Sequence, residues 1–252
     1  MALSSTLIRK TAKRSVQQAL HLVGLDVKRH IPRPVHAVAT LLELYQVDAI
    51  FDIGANAGMS GEYFRNLGYA GKIFSFEPVE AYYRQLEQKA SQDPFWVCEK
   101  IGLGDQNGEQ TINVSGGCGG ASSFLPTVGL IEEEEPDLAV IGQETVRVET
   151  LQTVMGRHYP KGDRLFLKID AQGYEQKILA SAGKDLDRVI GMRIEVSMVR
   201  SYQDEPLICD MFPFLYELGF KLCGIEEAWS NRDTQEVFQL DAAMFRTDRI
   251  SS

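Results

Sequence analysis

The chain has 252 residues, of which 44% are apolar and 24% charged, and a formal net charge of −9. That size allows one large domain or two small ones with an unstapled core, and the composition excludes disorder, collagen-like repeats and a disulfide-held miniprotein as descriptions of the whole. The acidic balance argues against nucleic acid as the main partner, and no apolar run approaches the ~20 residues of a membrane span.

The first 34 residues reverse the charge. Arg9, Lys10, Lys13, Arg14, Lys28, Arg29 and Arg33 stand against Asp26 alone, a net of +6 that leaves −15 for the rest. Ile8, Ala12, Val16, Ala19, Leu20 and Val23 recur at helical spacing and predict a basic amphipathic helix over 5–23. Two seats are open to it: packed on the main domain with its charges in water, or lying on an anionic membrane surface. It is expected to cover the ligand cleft or to mediate assembly, for instance as a homodimer. A second helix follows over 35–45, with Pro34 placed for its first turn. We read 1–46 as an N-terminal helical extension and 47–252 as the main domain. The opening residues lack the long apolar stretch of a secretory signal. Cys98, Cys118, Cys209 and Cys223 form no CxxC pair and no metal-ligand spacing. They are expected as reduced thiols of a cytoplasmic protein, mostly filling core.

From residue 49 the pattern is strand, glycine, helix. Ala49-Ile50-Phe51-Asp52-Ile53-Gly54 is a short apolar run of the kind covered on both faces in a parallel sheet. A helix over 59–67, a strand over 72–78, a helix over 81–90 and a third strand over 95–103 follow. Further on come a strand over 164–170, a helix over 174–182, a strand over 189–196 and a helix over 207–218 ending at Gly219. Two last strands, over 221–225 and 236–245, have no helix between them and predict an antiparallel hairpin. The alternation implies a doubly wound, Rossmann-like α/β sheet, mostly parallel, closed by that hairpin and preceded by the helical extension. Residues 104–150 break the rhythm. Gly116, Gly117, Gly119 and Gly120 predict a mobile loop, and the run Glu132-Glu133-Glu134-Glu135 a solvated turn. A long irregular segment in a compact domain suggests a lid or binding loop.

The strongest chemical signal is Phe51-Asp52-Ile53-Gly54-Ala55-Asn56-Ala57-Gly58, where Gly54 and Gly58 sit between a strand and a helix and allow a ligand close to the backbone. Glu77, 23 residues after Gly54, ends the second strand where an acid can accept both hydroxyls of a ribose. The GxGxxG dinucleotide fingerprint and the Walker GK[ST] are both absent. Asp52 would repel a pyrophosphate but suits a cationic amine. S-adenosylmethionine carries an ammonium, a ribose and no phosphate, so these residues favour a methyl donor over NAD.

The sequence resembles the FkbM family of S-adenosylmethionine-dependent methyltransferases over about residues 49–246. The resemblance rests on the 51–58 segment, Phe76-Glu77-Pro78, Gly104-Asp105-Gln106-Asn107-Gly108, Ala121-Ser122-Ser123-Phe124, Val148-Glu149-Thr150-Leu151 and, most specifically, Lys168-Ile169-Asp170-Ala171-Gln172-Gly173-Tyr174-Glu175. The family usually has an acid where Gln172 stands. The resemblance implies a class I methyltransferase domain that O-methylates a hydroxyl of a sugar, glycan or polyketide-like small molecule. It implies that the methionine moiety lies near Asp52, Gly54, Asn56 and Gly58, that the ribose meets Glu77 beside Pro78, and that the adenine lies around Gly102.

A sugar hydroxyl is a poor nucleophile, so a base helps. Asp170 ends its strand at the ligand edge of the sheet, and Glu195 stands near the end of the next strand. Lys168 shares a strand face with Asp170 by the period of two; the pair either serves the chemistry or only holds the sheet, and a close Lys168 would make Asp170 a weaker base. Two carboxylates on adjacent strands could instead hold Mg²⁺; no other metal spacing is visible. Glu175 suits a helix first turn, and Ser122 and Ser123 are candidates for the substrate mouth. Two other classes stay open: a non-catalytic nucleoside-binding module docked by its basic helix, and a nucleotide-dependent oxidoreductase.

Overall fold

A computed structural model describes residues 34–249; the basic helix expected over 5–23 lies outside them. The helix α1 (Pro34–Leu44) is followed by β1 (Ala49–Ile53), α2 (Met59–Asn66), β2 (Lys72–Phe76), α3 (Glu80–Ala90) and β3 (Trp96–Glu99). Next come β4 (Gly102–Gly104), β5 (Gly108–Ser115), α4 (Leu130–Glu134), β6 (Val140–Thr150) and α5 (Leu151–His158). The chain ends its described part with β7 (Leu165–Ile169), α6 (Glu175–Ala180), β8 (Val189–Ser197), α7 (Ile208–Glu217), β9 (Lys221–Ser230) and β10 (Val237–Phe245).

Seven strands form one sheet in the order β3-β2-β1-β7-β8-β10-β9. The first five are parallel neighbours, and β10 runs antiparallel to both β8 and β9. The sheet is thus the doubly wound one that the apolar runs predict, closed by the expected hairpin. Alternation along each strand splits the core in two. Ala49, Phe51 and Ile53 face one cluster with Leu151, Val154, Ile178 and Met211 of α5–α7. Ile50, Ile73 and Phe166 face the other, with Val38 and Leu42 of α1, Phe64 of α2 and Leu86 of α3. The chain goes from β1 outward to β3, then returns to β7 on β1's other side. The carboxyl ends of β1 and β7 therefore flank the topological switch, where open α/β sheets bind ligands.

Two expectations change. The third strand does not run to Leu103. It stops at Glu99, and Gly102–Gly104 joins a separate sheet of order β4-β6-β5. Residues 104–150 are accordingly not one irregular segment, because β5 and β6 pair antiparallel over eight residue positions and leave 116–139 as the connection. The thiols are not core filler either: Cys118, Cys209 and Cys223 are exposed and Cys98 is half-buried. Among the described residues, no helix is long and apolar enough to cross a membrane.

Candidate active site

Gly54 leaves β1 with φ +71° and donates its N–H to Phe76 O of β2 at 3.1 Å. A Cβ there would lie 1.8 Å from the Asp170 carbonyl oxygen, so only glycine lets the β1 and β7 exits touch. Beyond this contact lies a cleft with about 580 Å³ of space free of protein atoms, its open mouth included. Gly54, Asn56, Glu77, Pro78, Gly102, Ser122, Ser123 and Asp170 all line it. Eight of the residues singled out in the sequence therefore converge here.

Glu77 is the best-defined of them. It is 5% exposed, and its Oε2 accepts from Asn56 N at 2.8 Å while Oε1 accepts from Val79 N at 2.9 Å. Burial pushes its carboxyl up to about 7, against the pull of the Val79 and Asn56 N–H groups. Asn56 itself stands at φ +47° and donates its side-chain Nδ2 to Cys118 O at 2.9 Å, fastening the glycine-rich loop over the cleft. Gly119 of that loop packs on Tyr82, whose ring a Cβ would meet at 2.0 Å. The Ser123 hydroxyl donates to Gln172 O at 2.7 Å and accepts from Leu125 N, and Ser122 Oγ accepts from Ser115 N at 3.1 Å. Both serines shape the wall while bordering the cleft. Gly102 is bare because the Phe124 ring lies against it, 2.7 Å from where a Cβ would stand.

Two expected cofactor residues are elsewhere. Asp52 is fully buried on the α1–α3 face of the sheet and does not border the cleft. Its Oδ2 accepts from Ser75 Oγ at 2.9 Å, which in turn accepts from Trp96 Nε1 at 2.9 Å. Its Oδ1 has no hydrogen-bond partner and lies 3.9 Å from Lys168 Nζ. Burial raises its carboxyl above the usual range, and Lys168 and Ser75 oppose that. Asp52 therefore meets Lys168 and is not part of the cleft lining. Gly58 caps α2 at φ +83°, and the space of its absent side chain is filled by Leu86 and Trp96; it packs a helix and does not border the cleft.

Lys168 reaches Asp170 Oδ2 at 3.1 Å and Gly54 O at 3.3 Å. Burial alone would push its ammonium down, but Asp170 and Asp52 outweigh it and hold it raised. Asp170 Oδ1 accepts from Gln172 Nε2 at 2.7 Å, and the same nitrogen donates to Glu195 Oε2 at 2.8 Å. Glu195 Oε2 also accepts from Gln239 Nε2 at 3.0 Å, and burial, then the charge of Asp170, raises its carboxyl well above the usual range. The two carboxylates orient the Gln172 amide: only an N–H pair fits between them. Its Oε1 then faces the Tyr202 hydroxyl at 2.7 Å. That amide already occupies the position a shared Mg²⁺ would take. Among the described residues no group of three or more His, Cys, Asp or Glu is gathered to hold a metal. The donor set does not fit the ion. Glu175 Oε1 accepts from Ala171 N at 2.8 Å and so clamps the turn that carries Gln172; burial pushes it up to about 7.

Sequence reasoning missed Tyr202, Gln239 and Trp229, which border or brace the site from the β8–α7 connection and the hairpin. None sits in a motif, and only the three-dimensional path of the chain brings them here.

A search of curated protein sequences returns no match. Among solved structures, magnesium protoporphyrin IX methyltransferase from Synechocystis PCC 6803, with bound S-adenosylmethionine, superimposes at TM-score 0.45 with 10% identity, over 95% of this chain and 84% of that one. TrmK of M. capricolum, in complex with S-adenosyl-homocysteine, superimposes at TM-score 0.47 with 8% identity, over 87% of this chain and 70% of that one. The methyltransferase FkbM domain matches residues 52–222, about two-thirds of the chain, from the end of β1 to the start of β9. The chain belongs to the FkbM methyltransferase family.

Proposed function

We propose that this methyltransferase moves a methyl group from S-adenosylmethionine to a hydroxyl of a sugar, glycan or polyketide-like small molecule. The observation that carries the donor is the ionisable lining of the cleft: the acids Glu77 and Asp170 line it, and among the described residues no lysine, arginine or histidine does. Such a wall opposes the phosphates of a dinucleotide and suits a phosphate-free ligand with an ammonium and a ribose. When bound, S-adenosylmethionine supplies a methyl group already activated on a sulfonium. Glu77, fixed by two backbone N–H groups, is the acceptor for the ribose hydroxyls. Asp170 stands where the cleft meets the neighbouring cavity. It takes the hydroxyl proton as the acceptor oxygen bonds to the methyl carbon and the sulfur keeps the electron pair of the broken bond. Gln172 and Lys168 hold its two oxygens in place, so positioning supplies much of the rate.

A thermal shift with S-adenosylmethionine, S-adenosylhomocysteine and NAD in parallel tests the donor. At 100 times its Kd a ligand adds ~2.7 kcal/mol, which for a chain of this size raises Tm by roughly 5–10 °C. The two adenosyl sulfur compounds are expected to give that shift and NAD none; a shift with NAD alone overturns the reading.

The raised carboxyl of Glu77 adds a pH signature. Hydroxyls donate to an ionised carboxylate, and in the free protein this group loses its proton at about 7. S-adenosylhomocysteine affinity, measured by calorimetry, should therefore rise as pH passes through neutrality and level off above it. For the unliganded fold the sign is opposite. The folded carboxyl keeps its proton above the ordinary 4.5, so its contribution to stability is full below that value and lost as pH climbs through about 7. Glu77→Gln should weaken binding and flatten the affinity profile; a profile as steep as wild type in that variant assigns the titration to another group.

A further inference from the structure

A second cavity opens on the far side of Asp170 and Gln172, with about 1080 Å³ of space free of protein atoms, its mouth included. It meets the donor cleft at Asp170, Gln172 and Gly120, which line both. The Asp170 carboxyl group therefore stands at the junction of the two spaces. Three features of the wall bear on what ligand the cavity takes.

Among the described residues, every ionisable side chain lining the cavity is an acid: Asp170 and Glu195 on the floor, Glu135 and Asp137 at the rim. Lys168 neutralises part of the floor from beneath without lining it, and among the described residues neither rim acid meets a cation. Trp229, half-buried on β9, gives one wall a flat apolar face beside Ile131 and Leu138. Ser201 is fully buried, and its Oγ has no hydrogen-bond partner among the described residues although it stands in the cavity wall. A buried hydroxyl without a partner costs free energy that a ligand's hydrogen bond restores.

The indole face suits the C–H face of a sugar ring or an alkylammonium. The orphan Ser201 hydroxyl and the Gln239 amide suit the hydroxyls of a polyol. The two rim carboxylates, with no basic side chain lining the wall among the described residues, repel acidic sugars and attract an ammonium, the more so in a concave site that concentrates the field. The −15 balance of the chain beyond its first 34 residues steers in the same direction.

We propose that this cavity is the acceptor site and that it selects an amine-bearing sugar over neutral and acidic ones. The inference deepens the methyl-transfer reading and rests on it for the chemistry, but its binding preference is measurable without the donor.

The probes are glucosamine, N-acetylglucosamine and glucuronate, which share a ring and differ in charge. Each is titrated into the full chain without donor, slightly below neutral pH and at low salt, and read by quenching of Trp229 fluorescence. Trp229→Phe identifies the signal, since the other tryptophan, Trp96, is buried beneath β2. Glucosamine is expected to bind at least ~10-fold more tightly than N-acetylglucosamine, with glucuronate weakest and the preference shrinking as salt rises. The double variant Glu135→Gln, Asp137→Asn, with both rim charges removed and the floor intact, should lose most of the preference. Equal affinities for glucosamine and N-acetylglucosamine overturn the charge selection. A preference unchanged in the double variant, or no saturable quenching by any of the three, overturns the site. A failed donor shift beside a strong glucosamine preference would instead fault the methyl-transfer reading, so the two failures are distinguishable.

Discussion

Asp170→Asn should lower turnover by ~10²–10⁴-fold while S-adenosylhomocysteine binds as it does to wild type. The asparagine keeps the shape of the side chain and can still accept from Gln172 Nε2, which lies 2.7 Å from Oδ1 in the native protein. It removes the ability to take a proton and, with it, the carboxylate charge that Lys168 meets at 3.1 Å. The fold should survive, because Lys168 retains Asp52 at 3.9 Å as a counter-charge and the Gly54–Asp170 backbone contact is untouched. Glu195→Gln is the informative companion. Glu195 lines only the acceptor cavity, and its carboxyl is raised by burial and by Asp170, so it is a second candidate base in the worse position. If Glu195→Gln costs more than Asp170→Asn, the base is Glu195 and Asp170 orients it through Gln172. If neither variant slows the single-turnover rate, proton removal is not part of the barrier and positioning carries the chemistry. A fall in donor affinity for Asp170→Asn would make that residue a ligand of the donor.

The geometry also explains why some of this was legible in the sequence and some was not. The buried parallel strands announce themselves because β1, β7 and most of β8 are apolar on both faces, a pattern that helices on each side demand. The switch point follows from strand order, and with it the convergence of Gly54, Glu77 and Asp170. The second sheet is illegible for the opposite reason. β4 is three residues long, and the first four residues of β6 are exposed, so neither shows an apolar period. Asp52 illustrates a different limit. Its place two residues before Gly54 suits a ligand contact, yet the period of two turns it onto the Ile50 face, under α1–α3 and opposite Lys168 in register. Spacing fixes where a residue lies along a strand; the helices that cover the sheet decide whether its side chain meets solvent. Gln172 is the converse case. The departure from the family's usual acid is visible in the sequence, but its bridge from Asp170 to Glu195 needs Tyr202, 30 positions away, to receive the other end of the amide.

Lys168→Met should be the most destabilising single substitution near the site. In parallel register Asp52 and Lys168 are direct neighbours on β1 and β7, and both are buried beneath the helices. Methionine fills nearly the same volume, so packing is kept and the loss is electrostatic. Removing one partner of a buried pair leaves an uncompensated charge at a cost of ~3–5 kcal/mol. For a chain of this size that is roughly 6–20 °C in Tm. Asp52 bears most of it, since its Oδ1 has no hydrogen bond to replace the ammonium, whereas Asp170 is one-third exposed and can be solvated. The pH dependence then has a definite sign. Without Lys168 the folded Asp52 carboxyl is raised further above its ordinary 3.8 by the burial that already raises it. Its proton stays bound to higher pH in the folded state than in the unfolded one. The variant's deficit in urea-unfolding free energy should therefore shrink as pH falls and widen as pH rises through the folded value. The double variant Asp52→Asn, Lys168→Met removes both charges and should recover more than half of the loss. A deficit of under about 1 kcal/mol in Lys168→Met, or a double variant no better than the single, would mean that Asp52 is already protonated in the native fold and that Lys168 serves Asp170 alone.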